Sequence, residues 1–147
     1  MLSAKACPRG THLLSGSDFK SRCITNAENT RLLKVKQKEF NKKYFTKKLV
    51  PKYGYGWQPL RDIPIVVKKL PGLRAGEHHS VGDKIVINSQ NGWDDQVDTL
   101  LHEMIHQANY EWALDLAEPM HGTQFTKLRQ KIAKQRYPIT EPQIPSF

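Results

Sequence analysis

The sequence predicts a small α+β domain: helical apolar periodicity towards each end, with short β-branched segments and turn residues between. The helical signal is the recurrence of leucines and aromatics over 27–49, and of aliphatics over 97–108. The strand signal is IPIVVKK at 63–69 and DKIVINS at 83–89. The length, 147 residues, suits one compact domain with its own core.

Taken in order, residues 1–26 show no sustained periodicity, are rich in Ser, Gly, Thr and Lys, and read as a loose basic leader. From Ala27 to Leu49 a helix is expected, with Leu32, Leu33, Phe40, Tyr44 and Phe45 forming its apolar stripe and lysines its other faces. Pro51 and the YGYG at 53–56 end it. The strand at 63–69 begins beside Pro64, which favours a sheet edge. Pro71 and Gly72 turn the chain, and LRAGEHH then faces DKIVINS as a hairpin with its turn near Gly82. Asn91 and Gly92 break the sheet, and Asp94 is placed to cap the next helix, with Asp95 and Asp98 in its first turn. That helix has one apolar face: Val97, Leu100, Leu101, Met104, Ile105 and Ala108. Pro119 interrupts before a basic helix over about 123–135, and a tail with three prolines follows. Trp57 and Trp93 read as packing residues, Tyr110 and Trp112 as packing residues first and cleft lining second, and His78 and His79 as exposed strand-end histidines first, with contact to substrate or an oxyanion as the alternative.

Charge is distributed unevenly. Residues 1–75 carry 17 Lys/Arg against 4 Asp/Glu, a balance of +13, residues 76–121 balance at −8, and 122–147 at +4. An acidic segment suits a divalent cation, and basic flanks suit a polyanion. No apolar run approaches the roughly 18–20 residues that span a bilayer, and the N-terminus lacks a signal-like apolar core. Cys7 and Cys23 are expected as free thiols of a monomeric, cytoplasmic chain, with nucleoid or nucleus as further compartments. A knuckle of Cys7, His12 and Cys23 lacks a fourth metal ligand.

The acidic segment contains LLHEMIHQANYEWALDLAEPMHG at 100–122, in which His102, Glu103 and His106 form HExxH on a helix. Residues four apart share a helical face, about 5–6 Å between Cβ atoms. Two imidazoles can therefore reach one zinc ion at about 2.0–2.1 Å. Glu103, beside the first ligand, can act as a general base towards water. Both histidines lie off the apolar stripe. A catalytic zinc needs a third protein ligand. His121 is the first candidate, Glu118 its rival, and Asp115 and Glu111 are further options. Glu111 lies about 500° round the helix from His106 and points elsewhere if the helix continues.

LLHEMIHQ followed by HGTQF at 121–125 resembles the SprT-like metallopeptidases, with their HExxH helix and later His-Gly-x-x-Phe. EFNKKYFTKKL at 39–49 resembles the family's Phe-Asn-x-x-Phe-Phe helix, Arg74-Ala75-Gly76 its small-residue strand, and Ile85-Val86-Ile87-Asn88 the strand before the catalytic helix. The resemblance spans about 35–136. It implies a minimal zincin-like domain at 27–137, before a Pro-rich tail at 138–147. It also implies one zinc ion on His102, His106 and His121, Glu103 as general base, and protein substrates bound or crosslinked to DNA. Many members carry a zinc ribbon, whereas this chain has no CxxC pair. Either the basic front half then makes the DNA contact, with Lys34, Lys38, Lys42, Lys43, Lys47 and Lys48, or DNA is not involved. The alternative is a nucleic-acid-binding module whose zinc is structural.

Overall fold

The computed structural model describes residues 7–16, 20–49, 57–72, 74–79, 83–112 and 123–134. It is an α+β fold: β1 (Thr11–Leu14), β2 (Arg22–Thr25), α1 (Asn26–Lys43), β3 (Ile65–Lys68), β4 (Gly76–His79), β5 (Lys84–Asn88), α2 (Trp93–Glu111) and α3 (Thr123–Lys134).

The segment expected as a loose leader is ordered where it is described. β1 and β2 pair antiparallel, Thr11 opposite Thr25 and Leu14 opposite Arg22. Cys7 and Cys23 form a disulfide, their Cα atoms 5.4 Å apart, which corrects the expectation of free thiols and excludes a Cys–His–Cys knuckle. The thiol argument for an intracellular chain falls with it, because disulfides persist in oxidising surroundings. The hairpin sits against the helices: Leu14 and Ile24 are buried, and the carbonyl of Ser15 accepts from Trp93 N–H at 2.5 Å. No helix among the described residues is long and apolar enough to cross a membrane.

α1 starts one residue before the expected point. Thr25 caps it, its hydroxyl accepting from Glu28 N–H at 3.1 Å. The helix ends at Lys43 rather than Leu49, and residues 47–49 form a 3₁₀ turn. The bend lets Tyr44, Phe45 and Leu49 all reach the core beside Leu33 and Phe40. Leu32, at the other end of the expected stripe, is only half-buried.

β5 is the centre of a three-stranded sheet, parallel to β3 and antiparallel to β4. Pro64 does precede an edge strand, and its carbonyl accepts from Ile85 N–H at 2.9 Å. Gly72, at φ +63°, adopts the left-handed conformation the turn after β3 requires. Gly82, the expected hairpin turn, lies outside the described residues. Asn88 ends β5 and ties three segments together. Its amide donates to Arg74 O at 2.8 Å and accepts from Leu70 N–H at 3.3 Å and Gln90 N–H at 3.0 Å.

Gly92 is the N-cap of α2, so Asp94 lies inside the first turn instead of capping it. It packs against α1, α3, β4 and β5. Gly76 permits the contact with β4: a Cβ there would lie 2.5 Å from Thr99 Cγ2 and 2.8 Å from Val86 O. Because one of these atoms is backbone, Gly76→Ala is expected to lower unfolding free energy by about 1–3 kcal/mol. Urea denaturation of both proteins, followed by circular dichroism, measures this as a lower midpoint.

Candidate metal centre

The expected apolar face of α2 is buried throughout, from Val97 to Ala108. Much of its polar side is buried as well, which the amphipathic reading did not anticipate. His102, Glu103, Gln107 and Asn109 are each 1% exposed. Side-chain polar groups enclosed in this way need internal partners or a ligand, because losing water uncompensated costs a few kcal/mol per group.

The two histidine rings stand nearly perpendicular, at 79° with centroids 4.9 Å apart. Their Nε2 atoms are 3.3 Å apart. Two nitrogens bound to one tetrahedral zinc at about 2.0–2.1 Å would be separated by about 3.3–3.4 Å, so the pair fits that ion. Glu103 Oε2 is 3.9 Å from His102 Nε2, beside the pair and beyond hydrogen-bond length. His121, Glu118 and Asp115 lie outside the described residues. Among the described residues no group of three or more His, Cys, Asp or Glu converges on one point.

Glu111 is removed from the ligand candidates. α2 continues through it, and its carboxylate accepts from Arg61 N–H at 3.0 Å and from Gln107 Nε2 at 2.5 Å. Arg61 Nε lies 3.7 Å from it, while Arg61 also pairs with Asp83 at 2.7 Å. The hydrogen bond to Asp83, then the charges of Asp83 and Glu111, raise the guanidinium pKa above its usual value. Gln107 also donates to Arg61 O at 2.9 Å. This clamp holds the segment before β3 against the last turns of α2, the turns that carry His106. Trp112 completes it, fully buried, with Nε1 donating to Gln58 O at 2.8 Å. Tyr110 is 53% exposed and so is not a core residue. His78 and His79 belong to β4, and their side chains lie outside the described set.

The N-terminal half of α2 is fixed by a second polar network that composition did not signal. His12 Nε2 is 2.9 Å from Asn29 Oδ1, Asn29 Nδ2 donates to Gln96 Oε1 at 2.7 Å, and Gln96 Nε2 donates to Asn91 O at 2.9 Å. Asn29 and Gln96 are both fully buried.

The lysines expected at a nucleic-acid surface lie on α1 and the 3₁₀ turn. Lys34 is engaged by Asp62 and by Ile63 O, the latter at 3.1 Å. Lys43 lies 5.3 Å from the centroid of the Tyr44 ring. Lys38, Lys42, Lys47 and Lys48 are exposed.

An α+β domain with HExxH on a buried central helix is thus the class that fold and sequence define. Residues 33–143, about three quarters of the chain, match the SprT-like family model, and the chain belongs to the SprT-like family. No curated protein and no solved structure matches it.

Asn109 lies three residues after His106 and seven after His102, which places all three on one face of α2. Among the described residues, neither polar atom of its buried amide has a hydrogen-bond partner. Replacing an unpaired buried amide by a similar apolar shape is neutral or stabilising. Asn109→Leu is therefore expected to leave the thermal midpoint unchanged or raised. A fall of several degrees in calorimetry would instead show that the amide is satisfied in the folded protein.

Proposed function

We propose that the protein is a zinc-dependent peptidase in which His102, His106 and His121 hold one zinc ion and Glu103 is the general base. The observation that carries this is the 3.3 Å separation of the two Nε2 atoms, with the Glu103 carboxylate beside them. When bound, zinc supplies Lewis acidity that makes water acidic near neutral pH and polarises a carbonyl. Glu103 accepts the proton of the attacking water at a carboxylate oxygen and returns it to the departing amine nitrogen. Buried at 1% exposure, it exchanges that proton out of bulk solvent. The clamp of Arg61, Gln107 and Glu111 keeps the helix turn of His106 fixed while this happens. Membership of the SprT-like family supports a peptidase role.

The substrates proposed are DNA-associated proteins. The support is electrostatic: a +13 front half beside the −8 segment that carries HExxH. Such a chain can hold a polyanion with one part while a polypeptide is cut at another. The second reading, a nucleic-acid-binding module with a structural zinc, is favoured by the exposed lysines of α1 and differs in having no use for Glu103.

Glu103→Gln preserves size and neutralises the base. It is expected to retain one zinc per chain by elemental analysis and to lose hydrolysis of a DNA-bound protein by about 10²–10⁴-fold. The assay is run with and without single-stranded DNA. Equal cleavage by both proteins would contradict the assigned role. Zinc in both with cleavage in neither would favour the binding module.

A further inference from the structure

Away from the candidate metal centre, charge, aromatic rings and a cleft meet in a second part of the molecule. At the C-terminal end of α1, Phe45, Trp57 and Pro59 wall a cleft of about 390 Å³, and Lys38, Lys42 and Lys47 line it with them. We propose that this cleft takes one base of a single-stranded nucleic acid against the Trp57 indole, with the three lysines on the flanking phosphates.

The indole is held in place. Trp57 Nε1 donates to Phe45 O at 3.1 Å, and the half-buried ring packs on the core. A ring already fixed loses little entropy when a base stacks on it, and such stacking contributes about 1–3 kcal/mol per base. Lys38 and Lys42 are one helical turn apart, and Lys47 follows on the 3₁₀ turn, so the cations border the cleft on the same side as the chain bend. Among the described residues their charge is not spent in an ion pair. The nearby carboxylates are already engaged, Glu39 by Lys36 at 3.3 Å and Asp62 by Lys34. No carboxylate among the described residues lies within ion-pair distance of Lys38, Lys42 or Lys47. An apolar wall with cations on its rim matches a base carrying phosphates better than an acidic peptide, which offers charge without a flat apolar face.

The inference rests on the nucleic-acid part of the proposed function and is independent of hydrolysis at Glu103. The test is fluorescence anisotropy of a labelled thymidine oligonucleotide over a salt series. The proteins are wild type, a triple Lys38→Gln/Lys42→Gln/Lys47→Gln variant, and a control with Lys68→Gln, Lys84→Gln and Lys134→Gln, which removes equal charge elsewhere. The cleft variant is expected to bind at least about tenfold more weakly, with a salt slope lower by about 2, as three lost phosphate contacts require. The control should stay within about twofold of wild type. Indole fluorescence should be quenched by the oligonucleotide and not by inorganic polyphosphate or poly-glutamate, and Trp57→Phe should remove most of that quenching. Equal weakening in cleft and control variants, or equal quenching by all three polyanions, would overturn the cleft alone. Absence of oligonucleotide binding by wild type would overturn the nucleic-acid reading and the cleft with it, leaving the zinc and hydrolysis measurements untouched.

Discussion

The fold depends on burying a polar helix. α2 brings His102, Glu103, Gln107 and Asn109 into the interior together with its aliphatic face. An unsatisfied buried polar group costs about 1–3 kcal/mol, and a charged one more. The surrounding chain offsets part of that cost, at Gln107 and Gln96. Towards the C-terminal end of α2, the backbone of Arg61 accepts from Gln107 and donates to Glu111. At the N-terminal end, Gln96 is met by Asn29 and by the carbonyl of Asn91. Between these two anchored ends lie the histidine pair and Glu103. Their position is therefore set by contacts several residues away on either side, the kind of support that a metal site of fixed geometry requires.

The same logic explains why irregular segments are as well bonded as the regular ones. Residues 57–63 pair with no strand among the described residues, yet their carbonyls accept from Gln37, Asn41, Gln107 and Trp112. These side chains take the place of a neighbouring strand and fasten α1 to α2. The N-terminal hairpin is joined in a comparable way. It is too short to be stable alone, and it is held by the Cys7–Cys23 bond, by the His12–Asn29 contact and by the hydrogen bond from Trp93 to Ser15.

Much of this was legible in the residues themselves. HExxH has a spacing that only a helix makes meaningful, and His102 and His106 do meet. The β-branched runs ending at Lys68 and Asn88 are strands, and Pro64 and Gly72 sit where backbone restriction and left-handed freedom require them. The hairpin at 11–25 was missed because each strand has four residues, too few for alternation to emerge, and because cysteine spacing alone does not reveal pairing. The early end of α1 was missed because Tyr44, Phe45 and Leu49 continue a helical rhythm while the chain bends to bury all three. Periodicity also could not reveal that the polar side of α2 meets protein instead of water. A Gln or Asn on a helix looks the same in sequence whether its partner is solvent or a carbonyl forty residues away. Arg61 is the plainest case: nothing adjacent to it in sequence signals Glu111 or Asp83.

The chain thus combines a metal-compatible pair on a buried helix with a basic, aromatic-walled cleft at the C-terminal end of α1. The most direct test of the account is the coordination of zinc in the loaded protein, read by X-ray absorption at the zinc edge. The account predicts imidazole nitrogens and oxygen at about 2.0–2.1 Å, no sulfur, and loss of imidazole scattering in a His102→Ala/His106→Ala variant. A sulfur shell, or an imidazole count unchanged by that double substitution, would place the metal elsewhere and contradict the claim that α2 is built around it.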